Sequence, residues 1–299
     1  MSEALNSDGE KIVGWRVGAI RFPPHLYFLV SAIFHYLGPA FAVLLFAHVS
    51  VLGVAWLRIA SAAVVFTVWR RPWRTVVTLS AGQKRLLLAF GTVLGAMNVS
   101  FYLAISMLPL GTVGAIEFIG PIALAAVGLH SRRNIAAVIL AATGGWLLTQ
   151  VQVSGQPLGL LFAFANCALF VLYVILGHRV AQNAETSSID RLGAAMLIAL
   201  VAVSPIGFMD ATAAFAQPDL LLAGIGVGIC SSVIPYVLDQ LAMSRLPRAT
   251  FALLLSLLPA FATLIGVLVL SQLPTVAELA GIGMIIGGVA VHQEGGVSR

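Results

Sequence analysis

Three charged side chains stand inside long apolar runs of this sequence: Arg58 in AWLRIA, Glu117 in IEFIGPIAL and Asp239 in IPYVLDQL. A charge at bilayer depth costs about 2.5–3.5 kcal/mol on insertion scales, so it normally faces protein, water or a solute. At 1.5 Å rise per residue, Arg58 and Glu117 each fall roughly 10 Å from the same end of their helices. By the same arithmetic Asn98 and Tyr102 lie about 9 to 15 Å from that face. A guanidinium, a carboxylate, an amide and a phenol at one depth suit a zwitterion. Arg58 would bind a carboxylate, and Glu117 would receive an ammonium or exchange a proton. A buried Arg58–Glu117 ion pair that only fixes packing is the competing reading. His35 and Asn166, near mid-membrane, could line the same cavity, although a lone polar residue is more often satisfied by a neighbouring helix. Asp239, six residues before Arg245, either snorkels to the interface or acts as a gate or proton site with Ser232 and Tyr236.

Prolines punctuate the same runs. Pro121, Pro235 and Pro259 are read as helix kinks, each freeing a carbonyl that protein or a water-filled cavity must satisfy. The stretch 231–236, SSVIPY, would then supply both a hinge and hydroxyl ligands.

The elements that must position these residues follow from composition. Of 299 residues 60% are hydrophobic and 9% charged, against roughly 25% charged in soluble domains. Such a chain would expose large apolar patches in water, whereas lipid tails solvate them. Apolar runs near the roughly 20 residues of a transmembrane helix occur at 26–47, 52–69, 86–107, 110–129, 135–151, 158–177, 192–209, 220–243, 249–270 and 275–292. With the N-terminus inside, fifteen of the sixteen Lys and Arg residues fall on the cytoplasmic side, and the exception is Arg58. The expectation is an all-α, multi-pass protein of a bacterial-type cytoplasmic membrane, with both termini cytoplasmic.

An internal repeat divides the chain. Residues 103–112, LAISMLPLGT, and 241–250, LAMSRLPRAT, share Leu, Ala, Ser, Leu, Pro and Thr at the same places, and each copy has a second proline twelve residues after the first. The copies sit between helices three and four and between eight and nine, so each half has five helices. Five is odd, and the second half must enter the membrane inverted. Ten transmembrane helices in two inverted five-helix repeats are expected: a tail at 1–25, repeats at 26–151 and 152–294, and a tail at 295–299. Inverted repeats are the architecture of many secondary transporters, which place their site near the midplane between the halves.

The segments AWLRIA at 55–60, NVSFYLAISMLPLGTVGAIEFIGPIAL at 98–124 and SSVIPYVLDQLAMSRLPRATFALLLSLLP at 231–259 resemble the drug/metabolite transporter superfamily with its paired EamA domains, most closely its threonine and homoserine exporter branch. The resemblance implies ten helices, a central cavity and export of amino acids or related metabolites driven by the proton gradient. Export of drugs or dyes is the alternative within the superfamily. Where that branch carries a Glu before the second-half proline and an acidic residue after helix nine, this chain has Leu258 and Gln272.

Other classes find little support. Basic residues lie in short clusters between spans, which topology explains better than nucleic-acid binding. Five of six histidines lie at or near span ends, and Asp239 has no aspartate partner, so an intramembrane enzyme lacks its usual groups. No P-loop appears, and no metal or cofactor is expected. A non-transporting receptor stays open. Cys167 and Cys230 are read as packing residues, and the glycine pairs 91/95, 224/228 and 283/287 as close helix contacts. The expected partners are the lipid bilayer, protons and a small polar solute, in this reading a zwitterionic amino acid.

Overall fold

The computed structural model describes residues 23–128, 132–153, 156–181, 188–243, 254 and 257–291. The two tails, the second repeat copy from 244 to 250 with Arg245 and Arg248, and the start of the ninth span lie outside the described residues. Among those described the elements are all helical. Their order is α1 (Pro24–Leu45), α2 (Val51–Arg70), a short α3 (Trp73–Thr78), α4 (Ala81–Ile105), α5 (Leu110–Gly128), α6 (Arg132–Val153), α7 (Pro157–Ala181), α8 (Ser188–Phe215) and α9 (Pro218–Gly228). A π-helical turn (Ile229–Val233), α10 (Ile234–Met243), α11 (Leu258–Leu270) and α12 (Val276–Val291) complete it. With α9, the π turn and α10 taken as one broken span, and α3 set aside as too short to cross, ten crossing segments result. Among the described residues six segments are long and apolar enough to cross a membrane by length and composition.

Local chemistry sets the helix ends. Ser50 accepts the Gly53 N–H and starts α2, which Arg71 ends in the left-handed region at φ 49°. Ser80 and Gln83 form a reciprocal capping box that starts α4. Prolines open α1, α9 and α11, where the missing N–H has no intrahelical acceptor to lose. Pro259 lies in the first turn of α11, and the stretch just before that helix lies outside the described residues. The helical backbone of α5 continues through residue 121 to Gly128.

Three helices of the expected first half pack on their counterparts in the second and run antiparallel to them. Along α2 and α8, a Cβ at Gly53 would stand 2.5 Å from the Asp210 carbonyl oxygen, while at the other end Arg70 Nε meets Asp190 Oδ1 at 2.7 Å. Between them Trp56 Nε1 donates to Ser204 Oγ at 2.9 Å. Along α6 and α12, Gly144 lies on Gly281 and Gly288 lies on Ala137. Along α5 and α11, Gly111 lies on Thr263 and Gly266 faces Leu110. The first helix of each half crosses over: α1 packs on α9, the π turn, α10 and α11, and α7 packs on α4 and α5. Exchanging the halves maps this pattern onto itself, as an axis in the membrane plane requires.

Small residues make these approaches possible, because helices in lipid associate through close packing. Gly91 and Gly95 seat α4 on α8, and Gly224 and Gly228 seat α9 on α2. The pair Gly283 and Gly287 differs from expectation: nothing stands within 4 Å of a Cβ at either, and Gly281 and Gly288 form the seam of α12 instead. Facing outward, Val68, Val201 and Leu268 are 75%, 73% and 69% exposed, a surface for lipid. Trp69 and Trp73 flank Arg70 near the basic end of α2, where amphipathic rings anchor at the interface.

Candidate functional site

The π turn is the irregular point around which the buried polar residues gather. Pro235 has no N–H, so the carbonyl one turn back, that of Ser231, loses its helical donor. Such a carbonyl in lipid costs several kcal/mol unless something replaces the bond. Arg58, on α2, supplies it: Nη2 donates to the Ser231 carbonyl at 3.2 Å and Nε to Ser232 Oγ at 3.1 Å. The Ile234 N–H reaches back to the Ile229 carbonyl, which closes the wide turn. Two glycines allow the approach. A Cβ at Gly38 on α1 would fall 2.5 Å from Ser231 Cβ, and one at Gly228 would fall 2.6 Å from the Arg58 carbonyl oxygen.

Arg58 is thus buried and held. Its guanidinium carbon sits 5.2 Å from the centroid of the Tyr102 ring, a desolvated cation–π contact. Among the described residues Nη1 finds no hydrogen-bond acceptor, and no described carboxylate pairs with Arg58. The simple Arg58–Glu117 ion pair is not formed. Glu117 on α5 is also buried, and its Oε1 accepts from Asn166 Nδ2 on α7 at 3.3 Å. Arg58 and Glu117 are therefore both buried and make no ion pair with each other.

Around these two groups lie polar atoms with no partner among the described residues: Tyr36 Oη, Tyr102 Oη and Asn166 Oδ1. Arg58 and Ser231 lie beside the Tyr102 hydroxyl without completing a bond of good geometry. A buried polar group left unsatisfied costs about 1–3 kcal/mol, so three in one cluster mark a place built for something else.

The other candidates divide. Asn98 returns its amide to the Leu94 carbonyl of its own helix at 2.8 Å, which satisfies it locally. His35 sits edge-on to Tyr36 with ring centroids 5.2 Å apart. Asp239 does not simply snorkel: its Oδ1 accepts from Ser31 Oγ on α1 at 2.6 Å, and the same hydroxyl reaches the Pro235 carbonyl at 3.2 Å. Tyr236 is half-buried and follows Pro235 just after the π turn. Among the described residues no three His, Cys, Asp or Glu side chains gather as a metal site. Cys167 and Cys230 are free thiols.

At the opposite end from the arginines, a cavity of about 150 Å³ is lined by Pro109, Thr112, Thr263, Gln272, Leu273 and Glu278, among others. Its polar groups have structural duties. Gln272 Oε1 accepts the Leu110 N–H at 2.9 Å, capping α5, and Glu278 forms a capping box with Thr275 at the start of α12. Gln272 therefore stands as a helix cap where the resembling branch carries an acid.

Residue-type reasoning missed Tyr36 and Ser31. A tyrosine or serine in an apolar run resembles ordinary packing, and only the tertiary placement reveals one as unpartnered and the other as the holder of Asp239. Spacing did carry a signal: Tyr36 adjoins His35, which depth alone had singled out.

Comparison with known proteins gives three findings. The EamA-like transporter family matches residues 157–292. The threonine/homoserine exporter RhtA of Escherichia coli K12 is 33% identical over 252 residues, covering 83% of this chain and 84% of that protein. Its counterpart in Salmonella typhimurium SL1344 is 31% identical over 256 residues with the same coverage. A solved crystal structure at 18% identity superposes with a TM-score of 0.54 over 90% of this chain and 97% of the other, a likeness of fold alone.

Proposed function

The chain belongs to the EamA-like family of the drug/metabolite transporter superfamily, in its threonine/homoserine exporter branch, and from that premise we propose that it exports small zwitterionic amino acids. The solute is threonine- or homoserine-like, the membrane is the bacterial cytoplasmic membrane, and both termini are cytoplasmic. Repeats at 26–151 and 152–294 alternate access to one central site between them. The observation that carries this reading is a buried cation and a buried carboxylate, held by opposite halves of the polar cluster and not paired with each other.

In this reading Nη1 of Arg58 receives the substrate carboxylate. The second oxygen of Glu117 and Oδ1 of Asn166 receive the ammonium, whose three donors need such acceptors. Tyr102 braces the guanidinium, and His35 and Asn98 line the walls. When the ammonium leaves, Glu117 takes a proton, because a lone carboxylate at that depth is costly. That alternation couples export to the proton gradient. Ser232, Tyr236 and Asp239 form the gate on the basic side, and the turn before Pro235 is its hinge, with Pro121 and Pro259 as further points of bending.

Inverted membrane vesicles loaded by this protein should accumulate radiolabelled threonine and homoserine, and a protonophore should abolish the accumulation. Glu117→Gln should fold with normal yield and lose export by more than about tenfold. Normal export by a well-folded Glu117→Gln sinks the reading. Transport of cationic dyes without amino acids points to the broader drug-exporting class instead.

A further inference from the structure

Of the three unpartnered polar atoms in the central cluster, the Tyr36 hydroxyl stands apart. Asn166 Oδ1 belongs to an amide already donating to Glu117, and the face of Tyr102 is taken by Arg58. Tyr36 has neither anchor. Its side chain is 0% exposed, its ring meets His35 edge-on, and its hydroxyl has no partner. The hydroxyl lies where a Cβ at Gly114 would come within 3.2 Å, one helical turn before Glu117 on the same face of α5. Gly114 thus leaves the space that the phenol tip fills. Phenylalanine would pack there without an orphaned hydroxyl, so a tyrosine calls for a partner that the described residues do not supply.

The substrate supplies one. In the export reading, on which this inference rests, α2 holds the carboxylate and α5 with α7 hold the ammonium. The third substituent of the amino acid's Cα, its side chain, then faces the remaining wall, and that wall is α1. We propose that Tyr36 reads the side-chain hydroxyl of the transported amino acid, selecting hydroxylated substrates over aliphatic ones of equal size. Three attachment points also discriminate between enantiomers.

The test compares homoserine and threonine with 2-aminobutyrate, which has the carbon skeleton of both and no hydroxyl. Purified protein in proteoliposomes should export the hydroxylated pair about tenfold better, the worth of one well-made hydrogen bond. Tyr36→Phe should leave 2-aminobutyrate export within about twofold and bring homoserine and threonine down to match it. The variant should keep its thermal midpoint, since the hydroxyl removed has no protein partner. As a second measurement, homoserine should raise the midpoint of the wild type more than 2-aminobutyrate does, and Tyr36→Phe should erase the difference. Equal losses for all three solutes, or an unchanged ratio in the variant, overturn the role of Tyr36. Wild-type protein that moves all three equally overturns hydroxyl selection while export stands. Wild-type protein that moves none of them refutes the export reading and this inference with it.

Discussion

The third span of the first half and the third span of the second half do the same architectural work with different backbones. Helix α4 runs unbroken for 25 residues and packs on α7 and α8. Its counterpart packs on α1 and α2 but is divided into α9, a π turn and α10. Counting back from the repeat, Met97 occupies in α4 the place that Pro235 occupies in the broken span. One residue separates the two outcomes. Where the N–H is present the helix satisfies itself, and its polar residue Asn98 turns back onto Leu94. Where it is absent a carbonyl is freed, and a cation from the other half is drawn in to meet it. Equivalent positions thus divide into a rigid support and a jointed one.

Substitutions can exchange or erase that difference. The largest effect should come from Met97→Pro, which imposes the break on α4 with no arginine to repair it. A proline inside a helix costs about 3 kcal/mol or more, and the folded fraction recovered in detergent should fall to a few per cent. If Met97→Pro folds normally, the two spans are more alike than their backbones suggest. Next is Arg58→Ala, which leaves the Ser231 carbonyl bare and removes the proposed carboxylate receptor. Lost hydrogen bonds to a charged group are worth about 1.5–3 kcal/mol, so the thermal midpoint should drop and export should cease. Retained export would remove Arg58 from the site. The smallest effect should follow Pro235→Ala, which returns the missing N–H and lets the broken span close on itself. Stability should rise by up to about 1 kcal/mol, with a midpoint higher by about 2–4 °C, while export slows several-fold. Faster export would reverse the assignment of the hinge.

Much of this was legible before the structure. The spans follow from runs of apolar side chains, a one-dimensional property, and the depths of Arg58 and Glu117 follow from counting along a helix. Pro235 was recognisable as a break, but the group that repairs it lies 173 residues away in α2, and no local pattern reports such a partner. Spacing by four names candidate seams without saying which face of a helix meets a neighbour. That is why Gly224 and Gly228 lie in contact while Gly283 and Gly287 face open space. Gln272 looked like a missing acid, because its bond to the Leu110 N–H depends on the approach of two loops from different halves. Tyr36 was indistinguishable by type from the aromatic packing around it.

The crossing of α1 into the second half has a consequence for biogenesis. Its main packing partners run from α9 to α11, so α1 leaves the ribosome long before they do and must wait in the membrane until they have been inserted. Meanwhile Ser31, Tyr36 and Gly38 face lipid or temporary neighbours, and a segment made well before its partners finds its place only after them. A nascent chain stalled before residue 218 would hold α1 without a dock, a natural substrate for the insertase and for membrane quality control.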